Sequence, residues 1–374
     1  MDLTLDPGRN NGSWFNIADS NASADVFGNL TIPPHQYYAT ELWKYFPPIL
    51  ILLGTFGNIL TILILCRKSM WKMSSSPYLV VLGVADIVVL YTGLLRQWLR
   101  YVVDTDIREL SPVVCRLHIF SVYVSIDYSV WILVAVSVER FIGVCFPFKA
   151  KTFCTRRRTQ ITLFVIFCLL AILNSHFFFG FGSSFDNSTG VPVLISHCTV
   201  LTNEYALFTE NIWPWVDLAV FSMIPFCLII VCNISLIFRV VYSRRRHRVA
   251  PTDAHTTSGV STSSMTALLI SLNTLFLFTT APISIYLIGY PRWSRTADYN
   301  EFALLNLCWA IVNFLMYLNN SLNFILYCLS GPRFRREIKL ICARRHKVGV
   351  LKLTMPKRHV HSKGMILKLC SGLR

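Results

Sequence analysis

A few polar side chains interrupt the apolar stretches of this chain, and their types and spacing set out the chemistry available to it. Asp86 closes the run Leu82-Gly-Val-Ala85 inside a long apolar stretch, where an ionisable group is costly and marks function by default. Asn58 follows Gly57 in an earlier stretch. Ser125 and Ser129 are four apart, as are Asn319 and Asn323, so each pair shares one helix face. One carboxylate with hydroxyl and amide oxygens suits a small hard cation such as Na⁺, or a water cluster. The same groups suit a structural hydrogen-bonded network equally well. Glu139 and Arg140 are adjacent at the end of another stretch. A guanidinium there either pairs with its neighbouring carboxylate and later swings to a partner's backbone carbonyls, or snorkels to the surface. No metal-ligand spacing and no nucleophile constellation appears, so an enzyme is not expected.

The elements that must position these groups are seven apolar spans, approximately Phe46–Cys66, Pro77–Trp98, Val113–Val144, Ile161–Phe181, Ile212–Val241, Thr266–Tyr290 and Phe302–Leu329. Each has the roughly 20 apolar residues that a helix needs to cross a hydrocarbon core. Lipid offers the backbone no hydrogen bonds, so spans of this length read as helices. The fold class expected is an all-α membrane protein, a seven-helix bundle. Composition agrees: 54% of the 374 residues are hydrophobic and only 14% charged, against about 25% charged in soluble domains. A secondary transporter is the rival from another class, but no internal repeat or pair of broken helices is visible.

The net charge of +16 first suggests nucleic acid, and its distribution removes that reading. Twenty-six of the thirty-five Lys and Arg fall on one side of the spans, in the loops around Arg67, Lys149 and Arg244 and in the tail after Gly331. Basic loops stay cytoplasmic, so the N-terminus is expected outside and the C-terminus inside. Four glycosylation sequons, at Asn11, Asn21, Asn29 and Asn187, then fall on the outer side. Residues 1–45 lack the apolar core of a signal peptide, so the first span is expected to serve as insertion signal. Of twelve cysteines, only Cys115 and Cys198 read as extracellular and loop-accessible, and a bridge between them is expected.

The chain resembles the rhodopsin-like G-protein-coupled receptors over nearly all of residues 46–342. The resemblance rests on Gly57-Asn58, Leu82…Ala85-Asp86, Cys115, Glu139-Arg140-Phe141, Pro225, Pro282 and Asn323-Phe-Ile-Leu-Tyr327, in that order across seven spans. It implies that Asp86, Ser125, Ser129, Asn319 and Asn323, beside Asn58, line an allosteric sodium pocket, and no other cofactor is implied. It also implies that Arg140 contacts a Gα subunit, with Asn233 and Tyr327 in the cytoplasmic switch. Some family landmarks are replaced: Thr280 stands for the helix-six Trp, Phe324 for the helix-seven Pro and Asn233 for the helix-five Tyr. The sixth span offers Arg140 no acidic partner, so a weak inactive-state lock and measurable basal signalling are expected. The Asn-Phe-x-x-Tyr form is similar to the FMRFamide and myosuppressin receptor branch.

By family position, Val122 replaces the Asp that amine receptors need and Tyr317 replaces the retinal Lys of opsins. The outer pocket instead offers Arg96, Arg100, His118, Tyr123, Asp127, Asp217, Trp309, Asn313 and Tyr317. Both charge signs with aromatics suit a short peptide, with a small amino-acid-like ligand as the competing reading. Arg96 is expected to meet an acidic or amidated terminus, and Asp217 or Asp127 a basic side chain. The organisation expected is an extracellular tail (1–45), a bundle (46–330), an amphipathic juxtamembrane helix (331–342) and a basic cytoplasmic tail (343–374). In the third segment Phe334, Ile338, Ile341 and Cys342 share a face, which suits the inner leaflet and makes Cys342 a palmitoylation site. The partners implied are an extracellular peptide, a heterotrimeric G protein, arrestin, receptor kinases and membrane lipids.

Overall fold

The computed structural model of the protein describes residues 33–71, 73–186, 192–249, 257–330 and 334–340. Seven helices are long and apolar enough to cross a membrane: α1 (Pro34–Leu65), α2 (Ser76–Val103), α3 (Pro112–Cys145), α4 (Arg156–Gly180), α5 (Asn203–Arg239), α6 (Thr257–Thr296) and α7 (Tyr299–Ser330). Their outward faces carry large apolar side chains in the open, among them Leu52, Phe56, Phe164, Ile172, Phe238 and Phe278, each more than 65% exposed. A soluble bundle would bury such a surface, whereas a bilayer covers it. The protein is a multi-pass membrane protein. Burial also ranks the helices: 78% of the apolar window of α3 is buried, against 22% for α4. Helix α3 is the axis of the bundle and α4 lies at its edge.

Two features of the helices differ from the sequence reading. Helix α1 starts at Pro34, not near Phe46, so the expected tail of residues 1–45 overlaps it by three turns. Ala39, Trp43 and Pro47 form one buried stripe; Trp43 stacks on Tyr101 at 5.6 Å and meets Phe314 at 4.7 Å. Those contacts carry the helix outward past the polar start that ended the apolar pattern. Pro47 and Pro48 stay inside it, as membrane helices tolerate. Second, α2 and α5 each contain a wide π turn, at Leu90–Leu94 and Ala219–Met223. The α5 turn precedes Pro225, whose ring would collide with the carbonyl of Phe221 in a regular helix, so the widening relieves that clash. Helix α7 runs from Tyr299 to Ser330 without an internal proline, as the sequence reading of Phe324 implies.

Helices α1 and α7 approach closely through glycine. A Cβ on Gly57 would lie 2.9 Å from Phe324 Cβ, and one on Gly54 would lie 2.4 Å from Leu90 Cδ1 of α2. Small residues at such spacing let membrane helices pack backbone to backbone.

Between α4 and α5 the chain folds into an antiparallel hairpin, β1 (Phe181–Asp186) and β2 (Val193–Val200), which an all-helical reading did not foresee. A disulfide joins Cys115, at the start of α3, to Cys198 of β2, with Cα atoms 5.4 Å apart. Further ties hold the hairpin over the bundle. Arg116 Nε donates to the Phe181 carbonyl at 2.6 Å. Glu109, in the 3₁₀ turn Ile107–Leu110, accepts from Ser196 Oγ and, at 2.8 Å, from the His197 backbone N–H. After α7, residues 334–340 are helical and belong to a separate unit. Ile341 and Cys342 of the expected amphipathic helix lie outside the described residues.

Candidate functional site

The intramembrane carboxylate draws three helices together. Asp86 is fully buried on α2. Its Oδ1 accepts from Ser129 Oγ of α3 at 2.8 Å and from Asn320 Nδ2 of α7 at 2.8 Å. Its Oδ2 accepts from Asn323 Nδ2 at 2.7 Å. Helix α1 joins through Asn58, whose Nδ2 donates to the Asn320 carbonyl at 2.9 Å. Of the residues expected here, Asp86, Ser129, Asn323 and Asn58 are brought together. Ser125 turns its hydroxyl to the Val122 carbonyl of its own helix. Asn319 is buried, and its Oδ1 has no hydrogen-bond partner. Asn320, which the four-residue spacing passed over, supplies a direct bond instead. The Asp86 carboxylate, the Ser129 hydroxyl on it and the unpartnered Asn319 oxygen of α7 are the kinds of oxygen that a hard monovalent cation takes, while no group of three or more His, Cys, Asp and Glu is placed to hold a metal among the described residues.

Near the C-terminal end of α3, Glu139 and Arg140 do not pair with each other. Glu139 takes a hydrogen bond from Ser74 Oγ and a longer one, 3.4 Å, from Thr159 Oγ1 of α4. Arg140 Nη2 donates to Ser75 Oγ, at the start of α2. The consecutive serines thus hold the two charges apart, because a carboxylate and a guanidinium on adjacent helical positions point about 100° away from one another. Sequence reading missed Ser74 and Ser75. It also missed Asn273, the residue by which α6 meets this region. Asn273 Nδ2 donates to Ser137 Oγ of α3 and to Asn233 Oδ1 of α5, both at 2.8 Å. A neutral three-helix tie therefore stands where an acid on α6 is missing. Tyr327 is buried on α7. The signal that marked Asp86, a polar residue inside an apolar run, also marks Asn273.

In the outer half Arg96 differs from the expectation. Its guanidinium is 1% exposed and is spent on Asp106, with Nε to Oδ1 at 3.0 Å and Nη2 to Oδ2 at 2.9 Å. Arg108, also buried, shares the same carboxylate at 2.8 Å. Burial alone would raise the Asp106 carboxyl. The hydrogen bonds and charges of Arg96 and then Arg108 outweigh it and hold the group well below the usual carboxylate range. Two cations around one anion anchor the loop after α2, which Asp104 leaves through a left-handed turn at φ 53°.

The remaining pocket residues fall into two groups. On the α6–α7 side Trp309 packs on Tyr286 at 5.5 Å, Asn313 Nδ2 donates to the Trp309 carbonyl, and Tyr317 is buried against Gly93, where a Cβ would come within 2.5 Å of its hydroxyl. On the α3–α5 side Tyr123 belongs to an aromatic cluster with Phe177 and Trp213. One turn deeper, Asp127 is buried and accepts from Asn174 Nδ2 of α4 at 3.3 Å. Asp217 of α5 is partly buried and within electrostatic reach of Asp127. Arg100 and His118 are partly exposed on the outer turns of α2 and α3. The sequon residues Asn11, Asn21, Asn29 and Asn187, and Cys342, lie outside the described residues.

Comparison with known proteins agrees with this geometry. The sequence profile described as "7 transmembrane receptor (rhodopsin family)" matches residues 57–327. The chain is 25% identical over 350 residues to the sex peptide receptor of Drosophila melanogaster, covering 87% of this chain and 77% of the relative. It is 27% identical to the FMRFamide receptor of the same organism, over 92% of this chain and 60% of that protein. A dopamine D2-like receptor, also from Drosophila melanogaster, is 28% identical over 62% of this chain and 23% of its own length. The axial α3 with its Glu139-Arg140, the outer disulfide and the carboxylate shared by α2, α3 and α7 all lie within the matched region. The chain belongs to the rhodopsin family of seven-transmembrane receptors.

Proposed function

We propose that this receptor is a cell-surface receptor for a short peptide and transmits agonist binding to a heterotrimeric G protein. The observation that carries the peptide reading is the chemistry of the outer half. Asp127 and Asp217 lie on one side and Trp309, Asn313 and Tyr317 on the other, with Arg100 and His118 nearer the rim and Val122 in place of an amine receptor's acid. Two carboxyls with several aromatic surfaces suit a ligand that spans the pocket and carries a cation. Relatives named for the sex peptide and for FMRFamide support the same class. The basic cytoplasmic loops support a plasma-membrane orientation with the N-terminus outside, where Asn11, Asn21, Asn29 and Asn187 are glycosylated.

Inside the bundle, Asp86, Ser129 and the orphaned Asn319 Oδ1 hold sodium when it is bound, with Ser125 and Asn323 beside them. The ion adds positive charge to a buried carboxylate. On the cytoplasmic side Arg140 receives the Gα subunit, while Asn233, Asn273 and Tyr327 govern the outward movement of α6. Receptor kinases and arrestin act on the third cytoplasmic loop, and Cys342 with the basic tail meets the inner leaflet. The test is a screen of amidated invertebrate peptides in cells reporting G-protein dissociation. A peptide that dissociates the G protein only in receptor-expressing cells bears the reading out. A screen in which only amino-acid-like small molecules respond replaces it.

A further inference from the structure

Two short loops meet at the N-terminal end of α4. Arg156, its first residue, lays its guanidinium over the Trp71 ring, 5.3 Å from the centroid, and donates from Nη2 to the Trp71 carbonyl. Trp71 ends the short helix Lys68–Trp71 between α1 and α2. Arg158 lies over Phe153 at 4.4 Å and Lys149 over Phe146 at 5.7 Å, both rings belonging to the loop between α3 and α4. A ring orients a cation but leaves its charge in place. Lys68, Lys151 and Arg157 are exposed and make no hydrogen bond, ion pair or ring contact with a described residue. No Asp or Glu occurs in residues 66–76 or 141–160, and Glu139 is buried, accepting from Ser74 and Thr159. Three consecutive arginines in a helix's first turn also stand against its dipole. Positive charge gathers on this edge with nothing nearby in the chain to offset it.

The same edge faces lipid. Helix α4 is the least buried of the seven spans, and Arg157, Ile161 and Phe164 fall at i, i+4 and i+7, on one face. Ile161 is 53% exposed and Phe164 68%, an apolar surface that acyl chains cover. The stripe ends at Arg157, where a lipid lying along α4 has its headgroup. Basic loops alone are enough to orient a chain in the membrane. Here the Arg156–Trp71 contact goes further and ties the cations of two loops to one lipid-facing edge. A single phosphodiester offers one negative charge to Lys68, Lys149, Lys151 and the three arginines, whereas clustered phosphates offer several, and guanidiniums match phosphate oxygens in pairs. We infer that the start of α4, with the two loops beside it, is a docking site for a membrane lipid whose headgroup carries several phosphates. The phosphates meet the cations around Arg157, and the chains lie on Ile161 and Phe164. A soluble acidic protein matches the cations but leaves the apolar stripe uncovered.

The proposed orientation makes this an inner-leaflet lipid, and the inference rests on that orientation only for the choice of leaflet. The purified full-length receptor is placed in phosphatidylcholine nanodiscs with a trace of phosphatidylinositol 4,5-bisphosphate bearing a photoreactive acyl chain. After illumination the labelled residues are mapped by peptide mass spectrometry. Labels are expected on α4 at Ile161 and Phe164, and Arg157→Gln should reduce them about fivefold. Phosphatidylserine with the same reactive chain should label this face about tenfold less. Inositol 1,4,5-trisphosphate, a headgroup without chains, should not displace the lipid at equal concentration. Labels confined to the chain beyond residue 331, equal labelling by phosphatidylserine, displacement by equimolar inositol trisphosphate, or labelling unchanged by Arg157→Gln overturns the proposal. No labelling of α4 at all leaves the patch to an acidic protein and overturns it too. The wild-type comparison of the two lipids stands even where the variant fails to fold. An N-terminal epitope read on intact cells reports the orientation separately. A hidden epitope with α4 labelled overturns the orientation while the lipid site stands, and an exposed epitope with α4 unlabelled overturns the site alone.

Discussion

Single side chains here decide which charges are tolerated. Asp106 is shared by two buried guanidiniums, so removing its charge leaves cations that burial makes expensive. Asp106→Asn is expected to cost about 3–5 kcal/mol, as breaking a buried ion pair does, read as a lower unfolding temperature of the purified receptor. The pH dependence follows from the direction of its shift. The folded carboxyl lies below its unfolded value of about 3.9, so its contribution is complete above that value and is lost only as pH falls through the depressed one. Stability should therefore be flat between pH 5 and 8 as far as this cluster is concerned, and a loss centred near pH 6 would show that Asp106 does not control it. The sequence showed Arg96 but not its partner. A loop acid ten residues away reads as solvated until the chain reverses, at Asp104, and brings it back. Asn320 was hidden for a different reason. Asn319 and Asn320 lie respectively four and three residues before Asn323, and both spacings share a helix face. Only the rotation of α7 against α2 decides which of them reaches Asp86.

At the scale of elements, the seven spans were legible because their apolar runs match the membrane's thickness, but their ends and joints were not. Helix α1 gains three turns from tertiary contacts of Trp43, and no local pattern marks them. The π turn of α5 answers the sterics of Pro225, which periodicity does not register. Helix–helix contacts yield two predictions. Gly57→Leu must push α7 away at Phe324. Overpacking of this kind costs about 1–3 kcal/mol, so folded surface receptor should fall while Gly143→Leu, whose Cβ meets nothing within 4 Å, leaves it unchanged. The second concerns Asn273, which ties α6 to α3 and α5 by two neutral hydrogen bonds. At about 1 kcal/mol each, they hold α6 more weakly than a buried ion pair, in keeping with the expected basal signalling. Asn273→Ala should raise basal G-protein dissociation by about fivefold at matched surface expression. An unchanged basal signal would mean that α6 is restrained elsewhere.

Across the whole molecule, the layer around Asp86 ties the helices of the bundle to one another. Four helices converge there: α2 carries the carboxylate, α3 and α7 donate to it, and α1 holds the Asn320 carbonyl. About one turn before Asn320 on α7, Tyr317 lies against Gly93 of α2, and Ser321 Oγ donates to the Tyr317 carbonyl and to the Leu50 carbonyl of α1. Any movement of α7 that a ligand favours must therefore rearrange bonds to Asp86. A buried polar layer of this kind has few satisfied arrangements, which makes it a switch between states rather than a continuous spring. Asp86→Asn keeps the size but replaces one acceptor oxygen with a donor, facing the donors of Ser129, Asn320 and Asn323. Agonist affinity should then stay within about threefold, because the pocket is untouched, while maximal G-protein activation falls. Sodium supplies the sharper measurement. If the ion binds the inactive arrangement at Asp86, sodium chloride lowers agonist affinity in the wild type, while the same concentration of a large organic cation does not. Linkage makes the effect reciprocal, so agonist lowers sodium affinity by the same factor. In Asp86→Asn both effects should vanish together, in competition binding with and without sodium. An Asp86→Asn receptor that still loses agonist affinity when sodium is added places the ion, and the coupling it carries, away from this carboxylate.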